Sequence, residues 1–161
     1  YEKYPDFETE SKIKFDLLSK YDNKKEIFKE YKLKKEDIEN DLIYNKVISV
    51  KGFTALCLYY SINVIISHNK SYFLIGTFDC KESKFPVLSY SNNNFYILSN
   101  NLLFFENYYK HVLLDKSLNV ISKYKVSELK EIANIIGVIP EGNKKDLYEK
   151  LKNILIPLIN L

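Results

Sequence analysis

The stretch Ser127 to Leu151, SELKEIANIIGVIPEGNKKDLYEKL, constrains the fold more than any other part of this chain. Leu129, Ile132, Ala133 and Ile136 fall at i, i+3, i+4 and i+7, which is one apolar stripe along a helix. Gly137 follows the stripe and suits a left-handed helix-ending position. Pro140 and Gly142 predict an irregular turn. Leu147, Leu151, Ile154 and Leu155 then resume helical spacing. Two short helices with facing apolar stripes make a helix–turn–helix unit of about 35 residues.

The residues of this unit resemble the SAP motif, a helix–extended-turn–helix module of chromatin and DNA-repair proteins. The leucine of the first helix is Leu129, and the small residue that ends it is Gly137, followed by the apolar Val138. Gly142 and Lys144 open the second helix, and Leu147 and Leu151 are its paired leucines. LEM and Rho N-terminal modules look similar but fit this turn less well. Ala133 stands where many SAP modules have a larger apolar residue, and Lys150 stands where arginine is common. The resemblance covers roughly a quarter of the chain, residues 120–157.

The resemblance implies contact with double-stranded DNA, mostly through the backbone. Helix N-termini carry unpaired N–H groups and the positive end of the dipole, which suit a phosphate. Gly142 would let a backbone approach closely. Lys144 and Lys145, with Asn143 beside them, put charge at the start of the second helix; Lys123 and Lys125 lead into the first, with Ser127 as its expected N-cap. From Val120 onward seven lysines face five acids, a net of +2. So small an excess predicts weak, salt-sensitive, sequence-tolerant binding. LEM-type modules of this shape bind proteins, so a helix pair that docks a protein partner is the competing expectation.

Composition narrows the classes further. The whole chain has 161 residues and a net charge of only +3, too little to argue for nucleic acid by itself. All 24 basic residues are lysine. Bidentate guanidinium recognition of guanine is therefore absent, which argues against a sequence-specific major-groove reader. Two cysteines, Cys57 and Cys80, make no disulfide framework and read as buried thiols of an intracellular protein. No run of apolar residues is long enough to span a membrane, and no secretory signal is visible. The chain opens on Tyr1 and has no methionine, so it is expected to begin inside a longer protein or after processing. Its wealth of Lys, Asn, Ile, Tyr and Phe is what AT-rich codons encode. The layout, with FTALCLYYSINVII running on to ISKYKVSELKEIA, resembles uncharacterised proteins of nucleocytoplasmic large DNA viruses.

Residues 1–48 read as three helices. Phe7 to Lys20 carries Ile13, Leu17 and Leu18, with Phe15 off the stripe. Asn23 and Glu26 match a capping box before Ile27, Phe28 and Tyr31. Lys35 to Lys46 carries Ile38 and Leu42. Residues 49–119 read as an α+β core, one domain with those helices. Lys51 to Ile62 is apolar nearly all round, as in a buried helix. Strands are expected at Ile62–Ser67, Tyr72–Ile75, Phe85–Tyr90, Phe95–Ser99 and His111–Asp115, with Leu102–Asn107 a strand or short helix. The fold class is therefore α+β: N-terminal helices and a small antiparallel sheet, followed by the helix pair. Lys116 to Tyr124 is the expected junction.

No catalytic constellation stands out. The four glycines are scattered, so no phosphate-cradling loop exists. Cys57, His68, Cys80 and His111 are separated by ten, eleven and thirty residues, unlike a compact zinc site. A thiol hydrolase using Cys57 with His111 or His68 would need a depressed thiol pKa, and a mid-helix apolar setting works against that. Tyr72, Phe73, Phe95 and Tyr96 could stack on bases, but core packing explains them better. The expectation is a binding protein without catalysis, cofactor, metal, small-molecule substrate or membrane, contacting double-stranded DNA or, alternatively, a protein in a virion or other assembly.

Overall fold

The structure is a computed structural model that describes residues 7–45, 47–76, 85–91, 94–98 and 108–158. The chain divides into two compact units, Tyr1–Ile62 and Asn63–Leu161. Together the described residues form an α+β layout with six α-helices and one five-stranded sheet.

The first unit is helical: α1 (Phe7–Ser19), a 3-10 turn (Tyr21–Lys24), α2 (Lys25–Glu30), α3 (Lys35–Tyr44) and α4 (Val50–Tyr59). Its core is Leu17, Phe28, Ile38, Leu42, Ala55 and Leu58, all essentially inaccessible. Phe15, off the stripe in sequence, is 73% exposed. Asn23 does not cap α2: it lies inside the 3-10 turn, and the residue before α2 is Lys24, with no side-chain cap. The chain stays helical through Asn23, so the extended backbone that an N-cap needs is not available there.

The α3–α4 connection is held by a buried carboxylate. Asp41 accepts hydrogen bonds from Ser49 N at 3.1 Å, Ser49 Oγ at 2.8 Å and Asn45 Nδ2 at 2.9 Å. Ser49 in turn caps α4, accepting from the N–H groups of Lys51 and Gly52. A Cβ on Gly52 would lie 2.0 Å from Asp41 Oδ2. The glycine is what lets α4 pack on this carboxylate.

In the second unit, β1 (Val64–His68), β2 (Ser71–Ile75), β3 (Val87–Ser91), β4 (Asn94–Leu98) and β5 (Tyr109–Lys110) form a sheet in the order β4-β3-β1-β2-β5. The hairpins β1–β2 and β3–β4 are antiparallel, with His68 opposite Ser71 and Asn69 taking a left-handed φ of 52° at the turn. β1–β3 and β2–β5 are parallel, so the sheet is mixed rather than antiparallel. The continuous apolar runs explain this: β1 and β2 are buried on both faces, the pattern of central strands rather than of a half-exposed meander. His111–Asp115 is not a strand. The strand ends at Lys110, and Leu113 and Lys116 close a tight turn through an isolated bridge. The Leu102–Asn107 segment lies outside the described residues.

The helix pair completes this unit as α5 (Val126–Ile136) and α6 (Lys144–Ile154). Leu118, Leu129, Ile132, Ala133, Ile136, Leu147, Leu151 and Leu155 form one core, with Tyr109 of β5 packed against it. Ile154, expected on the stripe, is 39% exposed, and Leu155 takes the inward place.

Candidate nucleic-acid interface

The apolar spacing of the two helices decides which side chains remain outside. With Leu129, Ile132, Ala133 and Ile136 inward, Lys130 and Glu131 must point away from the core, and both are exposed. Gly137 ends α5 with φ 77°; its N–H donates to Asn134 O and that of Val138 to Ala133 O. This satisfies carbonyls that the helix end leaves open. Gly142 (φ 98°) turns the chain into α6. Asn143 caps α6, its side-chain oxygen accepting from Lys145 N at 2.9 Å and Asp146 N at 3.1 Å.

Tyrosines tie this pair to the sheet. Tyr124 Oη accepts from Asn119 N at 2.9 Å, and Tyr148 Oη donates to Asn119 O at 2.8 Å. Tyr109 Oη lies 3.4 Å from Tyr124 Oη. Burial, reinforced by the bond to Tyr124, pushes the Tyr109 hydroxyl well above the usual phenol range. The cluster is a neutral, hydrogen-bonded clamp.

The expected DNA-contacting residues fall at two helix starts. Lys123 is exposed in the 3-10 turn Ile121–Lys123, and Lys125 is exposed at the position before α5. Ser127 is exposed but is not the N-cap: it is the second residue of α5. Glu128 serves that end instead, accepting from Lys125 N. Gly142, Asn143 and Lys145 are exposed at the start of α6, and Lys144 is half-buried. Asp146 sits under Gly142, where an added Cβ would meet its Cβ at 3.2 Å. Each helix start therefore carries one acid of its own, Glu128 or Asp146, which competes with an incoming phosphate.

Among the described residues, no carboxylate pairs with Lys123, Lys125, Lys130, Lys144, Lys145 or Lys152. In the helical unit Lys14, Lys20, Lys29, Lys35 and Lys51 each lie within 4.0 Å of a carboxylate, whereas Lys12, Lys24, Lys25 and Lys34 have no such partner among the described residues. Lys150 reaches back to Ile139 O at 3.3 Å. Sequence reasoning passed over Lys116 and Lys152, because a turn residue and a helix-face residue share no local pattern. The exposed apolar residues Ile135, Ile139, Ile154 and Ile156 share the pair's surface.

The residues considered for catalysis are set differently. Cys57 is buried in α4, and burial pushes its thiol up to about 12, away from a nucleophile's range. Cys80 lies outside the described residues. His111 is buried, its Nε2 2.8 Å from Ser71 Oγ, while Ser71 Oγ donates to His68 O at 3.0 Å. His68 Nδ1 lies 2.9 Å from Tyr90 O. No group of three or more His, Cys, Asp or Glu side chains among the described residues is arranged to hold a metal ion. No helix among them is long and apolar enough to cross a membrane. Tyr72 and Phe73 are buried in β2, whereas Tyr96 on β4 is 49% exposed. No protein-family model, no curated protein and no solved structure matches the chain.

Proposed function

We propose that the C-terminal helix pair is a SAP-like module that contacts the backbone of double-stranded DNA, without strong sequence preference and without catalysis. The observation that carries this reading is the clustering of four lysines at the two helix starts, Lys123, Lys125, Lys144 and Lys145, none with a carboxylate partner among the described residues. An ammonium without a carboxylate partner can meet a phosphate without first breaking a bond inside the protein. Asn143 caps α6 through the N–H groups of Lys145 and Asp146, and the positive end of the helix dipole lies beside Lys144 and Lys145, which favours an anion there. The lysine-only basic complement supports backbone contact over base reading. The codon bias supports an origin in an AT-rich large DNA virus, and with it an intracellular setting.

A second reading rests on a different observation. Ile135, Ile139, Ile154 and Ile156 are exposed on the same pair, Ile139 by 64%. Apolar side chains in such a setting favour a protein partner. One experiment separates the two: fluorescence anisotropy of two unrelated short duplexes with the full chain and with Lys144→Glu/Lys145→Glu. DNA contact gives equal affinity for both duplexes, lost in the variant. A protein-docking pair gives no binding to either duplex at low salt.

A further inference from the structure

The turn after β5 and one face of α6 border a cavity of about 380 Å³, lined by Asp115, Lys116, Ser117, Tyr148, Lys152 and Asn153, among others. Its volume lies in the range of small-ligand pockets. Ser117 is only 4% exposed, yet among the described residues its hydroxyl has no hydrogen-bond partner; only its backbone carbonyl is engaged, by Val112 N. Ser117 lines the cavity, so its hydroxyl can meet an occupant there. Lys116 and Lys152 have no carboxylate partner among the described residues, and neither does the Asn153 amide have a hydrogen-bond partner there. An ammonium is a pure donor, and the hydroxyl and amide add further donors. Two lysines against Asp115 leave the lining at +1. Such a donor-rich, weakly positive lining calls for an oxyanion with several acceptor oxygens. The Tyr148 ring, held by its bond to Asn119 O, offers an adjoining flat wall.

We propose that this cavity is a phosphate site, filled by the phosphate of a mononucleotide or by a backbone phosphate of nucleic acid. None of its lining residues belongs to the lysines at the two helix starts, so it stands or falls apart from the duplex contact proposed above. The test is an amide-resolved NMR titration of the full chain at low salt, with inorganic phosphate and then a deoxynucleoside monophosphate. Saturable shifts are expected at Lys116, Ser117, Lys152 and Asn153. Lys116→Gln/Lys152→Gln should weaken phosphate binding by about tenfold or more, and Ser117→Ala by about fivefold. Lys152 is exposed, so Lys152→Gln alone tests the site even if the double variant fails to fold. A mononucleotide that binds more tightly than phosphate, with duplex affinity unchanged in Lys152→Gln, identifies a free nucleotide as the source. Duplex affinity that falls in Lys152→Gln identifies a backbone phosphate. The proposal is overturned if phosphate gives no saturable shift at these amides, or if Lys152→Gln leaves the shifts unaltered.

Discussion

Protonating His111 should cost the fold about 3 kcal/mol, and the loss should appear between neutral pH and pH 4. The imidazole is buried at the end of β5, where its backbone N–H donates to Tyr72 O at 2.8 Å. Ser71 has one hydroxyl proton, directed to His68 O, so the Nε2–H of His111 must be the donor to Ser71 Oγ. That leaves Nδ1 as a bare acceptor, and it has no partner among the described residues. A second proton would go to Nδ1, placing a charge on a buried atom that no side chain among the described residues meets. Burial, with the charge of His68 as a smaller cause, accordingly lowers the His111 pKa to about 4. The unfolded chain binds this proton below about pH 6.5, whereas the fold refuses it until about pH 4. Stability is therefore full above pH 6.5 and falls as pH drops, by up to about 1.4 kcal/mol per unit, levelling off below the folded pKa. Urea unfolding of the native chain and of His111→Gln, followed by circular dichroism at several pH values, measures this. The glutamine amide can still donate to Ser71 but does not titrate, so the variant's curve should be flatter by about 3 kcal/mol over that span. Parallel curves, or an imidazole that titrates near its ordinary value by NMR, would refute the argument.

Other substitutions test the packing at named atoms. Gly52→Ala drives a Cβ to within 2.0 Å of Asp41 Oδ2 and should cost about 2–4 kcal/mol in a urea midpoint. Gly137→Ala meets no atom within 4 Å, so only its left-handed φ of 77° is at stake. It should cost about 1 kcal/mol in thermal unfolding. Asp41→Ala orphans the N–H of Ser49 and should cost about 2–3 kcal/mol by the same measurement. Tyr124→Phe removes the acceptor for Asn119 N, and amide exchange at Asn119 should accelerate by about tenfold.

The helix pair was legible because its information is local. Stripe spacing, Gly137 and Gly142 specify two helices and a turn within one short stretch, and the observed helices follow. The edges were less legible. Ser127 reads as an N-cap by residue type, but Glu128 can reach back to Lys125 N and the helix starts two residues earlier. Ile154 and Leu155 are adjacent and equally apolar, and only the packed pair decides which turns inward. Strand positions at β1 to β4 follow from the β-branched and aromatic runs, yet their directions do not. Whether β3 lies beside β1 or β2 depends on non-local pairing, and β3 takes the parallel place beside β1. The lysines of the candidate interface were visible as residues, but that none meets a carboxylate among the described residues was not. That depends on which face each acid occupies, as the paired lysines of the helical unit make plain.

The salt dependence of duplex binding tests the central claim most directly. Lys123, Lys125, Lys144 and Lys145 amount to four ammonium groups, so log affinity against log salt should slope by about −3.6, roughly a 150-fold loss between 50 and 200 mM. Lys144→Glu/Lys145→Glu should reduce that slope by about 1.8 or abolish binding altogether. A duplex that binds with no salt dependence, or a variant that binds with the native slope, would contradict the account.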